Sequence, residues 1–60
     1  MEIKLNNFYI VNHDCEPLFR KGDRFKVIKL NEDKNMLPIT AVNFRGEVLG
    51  FEENELEECR

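Results

Sequence analysis

The sequence predicts a small all-β protein, a five-stranded barrel with a single helical turn before the last strand. Two glycine-marked segments carry this prediction. Residues 21–28 combine a Gly-Asp turn with an alternating strand, and residues 46–51 form a strand bounded by two glycines. The chain has 60 residues, of which 42% are hydrophobic, and this is enough for one small core. We therefore expect residues 1–60 to form a single domain.

The first strand is predicted at residues 8–11, which are all aromatic or β-branched. Residues 12–20 are rich in turn formers and predict a long loop or irregular hairpin. After this loop, Gly22 can take a positive φ at little cost, and Asp23 can accept hydrogen bonds from nearby backbone. A well-specified turn is therefore expected before the second strand.

The second strand is predicted at residues 24–30, where alternation places Phe25 and Val27 on the face that points into the core. Residues 31–35 contain no apolar side chain and predict a hairpin loop. The third strand is predicted at residues 39–44.

Pro38 has no backbone N–H, so it belongs at the start of the third strand or on a sheet edge. An Arg-Gly turn then leads to a fourth strand at residues 47–51. Residues 53–55 fit a single helical turn, and residues 56–59 fit a short closing strand. The rival interpretation is a C-terminal helix from Glu52 onward, because Glu and Leu are good helix formers.

The formal net charge of −3 weakens the case for a polyanion ligand, but the charge is unevenly distributed along the chain. Cations crowd the middle at Arg20, Lys21, Arg24, Lys26 and Lys29, and glutamates crowd the end at Glu52, Glu53, Glu55, Glu57 and Glu58. One interpretation is solvated strand faces followed by a solubilising tail. The other is a bipolar surface that selects a charged protein partner.

No apolar run has the length of a membrane span, and the first residues lack the apolar core of a signal peptide. We therefore expect a cytoplasmic protein that does not associate with a membrane. The abundance of Asn and Lys is compatible with an AT-rich genome, such as that of a low-GC bacterium or its phage. Cys15 and Cys59 lie outside any close-spaced metal motif and are predicted to be free thiols, with a disulfide as the main alternative.

The residue inventory argues against an enzyme, because the chain contains no serine and one histidine. His13 lies two positions before Cys15, a spacing that could activate the thiol, but so small a domain encloses little pocket. Adjacent glutamates at residues 52–53 and 57–58 raise a divalent-metal hypothesis, yet neighbours on a strand face opposite ways. We therefore predict no catalytic residue, no metal site and no cofactor.

Five short strands in this loop order resemble the SH3-like barrel. The resemblance rests on Phe19, Lys21, Gly22, Asp23, Phe25, Val27 and Ile28, which look like the family's turn and second strand, and on Gly46, Gly50, Phe51 and Leu56, which look like its final hairpin and closing strand. It covers roughly residues 8–58. Peptide-binding members of the family grip proline-rich ligands in an aromatic groove flanked by acidic loop residues, so the resemblance implies a binding scaffold.

Tyr9 falls where the resemblance implies a groove tyrosine, and Asp14 and Glu16 fall in the acidic loop. The family's tryptophans have no counterpart, because the chain contains no Trp and has residues 36–39 in that region. The groove proline and tyrosine are replaced by residues 52–55. The resemblance therefore implies the scaffold without its best-known ligand.

The leading hypothesis is a small stand-alone binding module, an adaptor, regulator or inhibitor that binds another protein. The side chains expected to be exposed for this purpose are Tyr9, Asp14, Glu16, Pro38, Glu52, Glu53 and Glu55.

Two alternatives stay open. The first is a nucleic-acid-binding barrel, whose contacts are the outward-facing Arg24, Lys26 and Ile28 together with Tyr9 and Phe44 as stacking groups. The second is a structural role in which exposed strand edges pair two copies in a dimer or larger assembly. The chain is accordingly expected to be a monomer or a homodimer.

Overall fold

The computed structural model describes residues 2–59, and they form one antiparallel sheet. The elements are β1 (Phe8–Val11), β2 (Arg24–Leu30), β3 (Ile39–Val42), β4 (Val48–Phe51), a single 3-10 turn (Glu53–Glu55) and β5 (Leu56–Glu58). The strands are ordered β4-β3-β2-β1-β5 across the sheet. The predicted all-β class, the five strands and the helical turn before the last strand are confirmed.

Over residues 2–59, β4 and β5 are edge strands that do not pair with each other, so the sheet is open rather than a closed barrel.

The core is built from the inward-facing residues of all five strands and from one loop aromatic. Its members are Tyr9, Val11, Phe19, Phe25, Val27, Ile39, Ala41, Phe51 and Leu56. Phe25 and Val27 lie in it, as the alternation predicts. The Phe25 and Phe51 rings pack edge to face with centroids 4.9 Å apart, and Phe19 lies 5.4 Å from Phe51. A single sheet surrounds these residues by curling around them.

The loop between β1 and β2 has the predicted turn chemistry. Gly22 has a φ of +94°, a region that favours glycine. The Asp23 carboxylate accepts a hydrogen bond from the Arg20 N–H at 2.9 Å. Earlier in the loop, Cys15 and Phe19 form an isolated β-bridge, which places the Phe19 ring over the core.

Two strand ends differ from the predictions. β3 ends at Val42 instead of residue 44, because the Asn43 side chain accepts the backbone N–H groups of Arg45 and Glu47 and begins the turn early. β5 ends at Glu58. The rival C-terminal helix is wrong, since Leu56 is extended and pairs with Val11.

β2 contains a bulge that changes which of its residues face inward. Its register against β3 shifts between Val27 and Lys29, so that Lys29 lies opposite Thr40 and Leu30 opposite Ile39. Directly opposed residues share a face, and Ile39 faces the core. The bulge therefore turns Leu30 toward the inner side of the sheet and Lys29 outward, the reverse of strict alternation.

No helix within residues 2–59 is long and apolar enough to cross a membrane.

Candidate functional site

A groove rimmed by glutamates opens at one end of the core. It has a volume of about 550 Å³, within the range of ligand pockets. We call it the acidic groove, and its lining residues are Glu2, Ile3, Leu30, Asn31, Pro38, Ile39, Glu52 and Glu53. Four of these residues are apolar, and the charged ones among them all carry negative charge.

The apolar part of the acidic groove depends on the β2 bulge and on the loop that follows it. The bulge directs Leu30 to the same face as Ile39. Asn31 then closes the loop, because its N–H donates to the Pro38 carbonyl at 2.7 Å. The Asn31 side-chain amide also donates to the Leu37 carbonyl at 2.9 Å and to the Thr40 hydroxyl at 3.0 Å. These bonds hold Pro38 beside Leu30 at the start of β3, the position expected of a proline in a sheet.

The acidic rim is held by the 3-10 turn. Glu52 precedes the turn with extended backbone, and its carbonyl accepts the Glu55 N–H at 3.1 Å. Asn12 ties the turn to β1: its N–H donates to the Glu55 carbonyl at 3.0 Å and its side-chain amide to the Asn54 carbonyl at 2.6 Å. Glu53 is therefore presented on an anchored turn rather than on a loose tail.

The carboxylates of the acidic groove are available to a partner. Within residues 2–59 the ion pairs are Arg20–Glu16 and Arg45–Glu47, and neither involves the groove. Neighbouring like charges repel one another, and a bound cation relieves that repulsion. The groove is therefore suited to a positively charged group beside an apolar one.

The structure brings together three of the seven residues that the sequence singled out, namely Pro38, Glu52 and Glu53. It places Asp14 and Glu16 elsewhere, in the β1–β2 loop. The Asp14 carboxylate accepts the Lys21 N–H at 2.8 Å, a bond that shapes the loop. Glu16 pairs with Arg20 at 2.9 Å and lines a separate cavity of about 390 Å³.

Glu55 is half-buried at the end of the 3-10 turn and does not line the acidic groove. Its backbone, rather than its carboxylate, makes the contacts that anchor the turn.

The expectation that Tyr9 is exposed is wrong, because its side chain is only 4% exposed. Tyr9 shares the inward face of β1 with Val11. Its hydroxyl accepts the Lys4 N–H at 2.9 Å and donates to the Glu2 carbonyl at 3.4 Å, so it fastens the first residues to the core. Phe8, one position earlier, is the half-exposed aromatic of this strand.

Sequence reasoning missed five groove residues, namely Glu2, Ile3, Leu30, Asn31 and Ile39. Ile3 packs against the core because the segment before β1 is bonded to β2 through Asn6 and Asn7, whose N–H and carbonyl pair with Val27. Ile3 belongs to the alternating run Met1, Ile3 and Leu5, a signal for an extended segment that the strand predictions did not include. In β2 the apolar alternation changes phase between Val27 and Ile28, a signal for the bulge that strict alternation overlooks.

A second surface lies on the outer side of the sheet. We call it the aromatic face, and its residues are Phe8, Arg24, Lys26, Val42, Asn43 and Phe44, which line a shallow cavity of about 180 Å³. The predicted outward placement of Arg24 and Lys26 is confirmed, and Phe44 is exposed as expected of a stacking group. Ile28, expected with them, is exposed at the bulge and does not line this cavity.

The remaining candidate chemistry is weaker. His13 contacts the Asn12 side-chain oxygen at 2.9 Å and the edge of the Phe19 ring. Cys15 and Cys59 are both free thiols, as predicted. Within residues 2–59, no three His, Cys, Asp or Glu side chains gather in a metal-binding arrangement.

A comparison with protein-family models, with curated proteins and with solved structures finds no significant match to this chain.

Proposed function

We propose that this chain is a small protein-binding module whose acidic groove takes a basic, partly apolar segment of another protein. The observation that carries the proposal is the composition of the groove: three glutamates surround an apolar floor of Ile3, Leu30, Pro38 and Ile39. A lysine or arginine followed by an apolar side chain matches both parts. The volume of about 550 Å³ accommodates one or two such side chains.

The two parts of the groove contribute differently to binding. Each exposed ion pair is worth only about 0–1 kcal/mol, whereas burial of one apolar side chain is worth about 1.5–3 kcal/mol. The apolar floor therefore supplies most of the affinity, and the glutamates select a basic sequence and raise the association rate. We infer binding rather than catalysis, since the charged groups of the groove are surface carboxylates open to water.

We also propose that the open sheet is an SH3-like scaffold. The strand order, the long β1–β2 loop and the 3-10 turn before β5 support this. In this scaffold the acidic groove lies between the β2–β3 loop and the 3-10 turn, the two segments in which the chain departs from the family's tryptophan, proline and tyrosine positions. Four of the altered residues line the groove, namely Pro38, Ile39, Glu52 and Glu53.

Selection from a random 12-residue peptide library tests the proposal. We expect enriched peptides to carry Lys or Arg beside an apolar residue. Their affinity, measured by fluorescence anisotropy, should fall about tenfold or more in the double variant Glu52→Lys, Glu53→Lys, because two favourable pairs are replaced by repulsion.

The matched control is Glu57→Lys, Glu58→Lys, which makes the same change in net charge on β5, outside the groove. It should keep the wild-type affinity within about twofold. Equal losses in both double variants, or enrichment of acidic peptides, would contradict the proposal.

A further inference from the structure

We propose that the aromatic face binds single-stranded nucleic acid, at a site separate from the acidic groove. The two surfaces share no lining residue. The aromatic face has cations where the acidic groove has carboxylates, so its ligand must have the opposite charge.

The floor of the aromatic face is a row of residues that lie opposite one another on adjacent strands. Phe8 lies opposite Lys26, Lys26 opposite Val42, and Val42 opposite Val48, so these residues form one row across four strands on the outer side of the sheet. The row therefore lies on hydrogen-bonded strands, and the Phe8 ring is at its β1 end.

Phe44 supplies the second ring, and its exposure leaves the ring accessible to a ligand. It follows β3 in the turn set by Asn43 and is 93% exposed, whereas Phe8 is 49% exposed. Two accessible phenylalanine rings flank one cavity of about 180 Å³ whose exposed surface is mainly apolar. Every nucleobase has a flat π face, so rings in this setting can stack bases without regard to sequence.

The cations are placed beside the rings. The Arg24 guanidinium carbon lies 5.7 Å from the centre of the Phe8 ring, and that of Arg45 lies 5.5 Å from the centre of the Phe44 ring. Lys26 lies in the row between Phe8 and Val42. A base stacked on either ring therefore has a positive charge within reach of its phosphate.

Carboxylates near this face limit its strength. Glu47 bonds the Arg45 Nε at 2.8 Å. Ile10 has Arg24 opposite it on one side and Glu57 on the other. Two more carboxylates, Glu2 and Glu58, line a neighbouring cavity that includes Phe8. With these carboxylates beside three cations, and a net charge of −3 overall, we expect micromolar rather than nanomolar affinity at low salt.

A second copy of the chain is the strongest rival occupant, since its acidic groove complements these cations. That contact joins two different surfaces, and such a head-to-tail contact forms a ring if the rotation closes and an open filament if it does not. An acidic peptide would satisfy the cations and leave the rings unused. Single-stranded nucleic acid uses both the rings and the cations, so the observations favour it.

The test is a fluorescence anisotropy titration with labelled 12-residue oligo(dT) and oligo(U), at salt concentrations between about 0.02 and 0.2 M. If the three cations neutralise three phosphates, the log of the affinity should fall against the log of salt with a slope near −2. Both single strands should bind at least fivefold more tightly than a duplex of the same length, because paired bases cannot reach the rings.

Phe44→Ala should weaken binding about 5- to 150-fold, the effect of losing one stacked base. Since Phe44 is 93% exposed, the variant should fold, which a thermal unfolding curve checks. Lys26→Gln should reduce the salt slope by about 0.7, the effect of one lost phosphate contact. Its control, Lys34→Gln, removes the same charge from the β2–β3 loop and should leave the slope unchanged.

Absence of binding at the lowest salt, a slope near zero, full affinity in Phe44→Ala, or equal binding of duplex would each overturn the proposal. So would equal effects of the Lys26 and Lys34 variants. Solution mass is measured in parallel over a dilution series. A mass that rises with concentration in the wild type, but not in Phe44→Ala, would make a second copy the occupant and also overturn the proposal.

Discussion

Asn43 organises the turn between β3 and β4. Its side chain is 9% exposed, and its oxygen accepts the N–H groups of Arg45 and Glu47, both at 3.0 Å. Its amide donates to the Glu47 carboxylate at 2.9 Å. One asparagine therefore fixes the backbone of the turn that follows Phe44.

The same contacts lower the pKa of Glu47 below its ordinary value, first through the Asn43 hydrogen bond and then through the hydrogen bond and charge of Arg45. Asn43→Asp keeps an oxygen for the two N–H groups but replaces the amide donor with a like charge. We expect the pKa of Glu47 to rise in this variant, as measured by NMR titration of its carboxyl carbon. Lys34→Ala is the control and should leave that pKa unchanged; an unaltered Glu47 in Asn43→Asp would contradict the assigned cause.

The sign of the stability effect follows from the direction of this shift. Because the folded-state pKa lies below the unfolded one, the contribution of ionised Glu47 is present at neutral pH and is lost as the pH falls through the folded value. The stability advantage of the wild type over Glu47→Gln should therefore shrink in acid, a trend that urea unfolding at several pH values measures.

At the scale of elements, the strands could be predicted because their inward residues alternate and their turns carry Gly22 and Gly46, both at positive φ. The acidic groove could be predicted only in part. Its acidic rim stands out as a run of glutamates, whereas Leu30 depends on a bulge whose position is set by pairing with β3. The adjacent apolar residues Val27 and Ile28 break the alternation of β2, but the pairing with β3 decides which residues the bulge turns inward.

The β4 strand contains a second contact of this kind, between Gly50 and Leu37 in the β2–β3 loop. A Cβ built on Gly50 would lie 2.7 Å from the Leu37 Cδ1 and 3.2 Å from its Cβ. Leu37 is 45% exposed, so its side chain can move away from the new methyl group. We therefore expect Gly50→Ala to destabilise the fold by only about 1 kcal/mol, the low end of the usual cost of overpacking, as measured by urea unfolding. Leu37→Ala removes the closer atom, so the double variant should lose less than the sum of the two single losses.

Gly46→Ala is the control for this cycle. A Cβ added to Gly46 would meet no atom within 4 Å, but the residue has a φ of +82°, so its substitution costs about 1–2 kcal/mol through backbone strain alone. That cost should be the same with or without Leu37→Ala. If the Gly50 and Gly46 variants respond alike to the loss of Leu37, the steric explanation for Gly50 is wrong.

At the scale of the whole molecule, the acidic and basic segments of the sequence contribute to different surfaces. The C-terminal glutamates Glu52 and Glu53 meet Glu2 at the acidic groove, while Arg24 and Lys26 lie on the outer side of the sheet. The edge strand β5 carries Glu57 and Glu58. If two copies paired antiparallel along this edge, these glutamates would repel their counterparts. The sheet thus separates the three glutamates of the acidic groove from the cations of the aromatic face.

This separation predicts how the two proposed sites influence each other. The molecule measures 26 × 24 × 20 Å, whereas charges are screened over about 8 Å at 0.15 M salt and about 30 Å at 0.01 M. Glu52→Lys, Glu53→Lys changes the net charge from −3 to +1, since each exchange adds two positive charges.

At 0.01 M salt the field of the whole protein reaches the aromatic face, so this variant should bind oligo(dT) several-fold more tightly than the wild type. At 0.15 M salt the two proteins should agree within about twofold, because direct contacts alone then act on the oligonucleotide. An equal gain at both salt concentrations would mean that residues 52 and 53 touch the nucleic acid, and the two surfaces would then be one site.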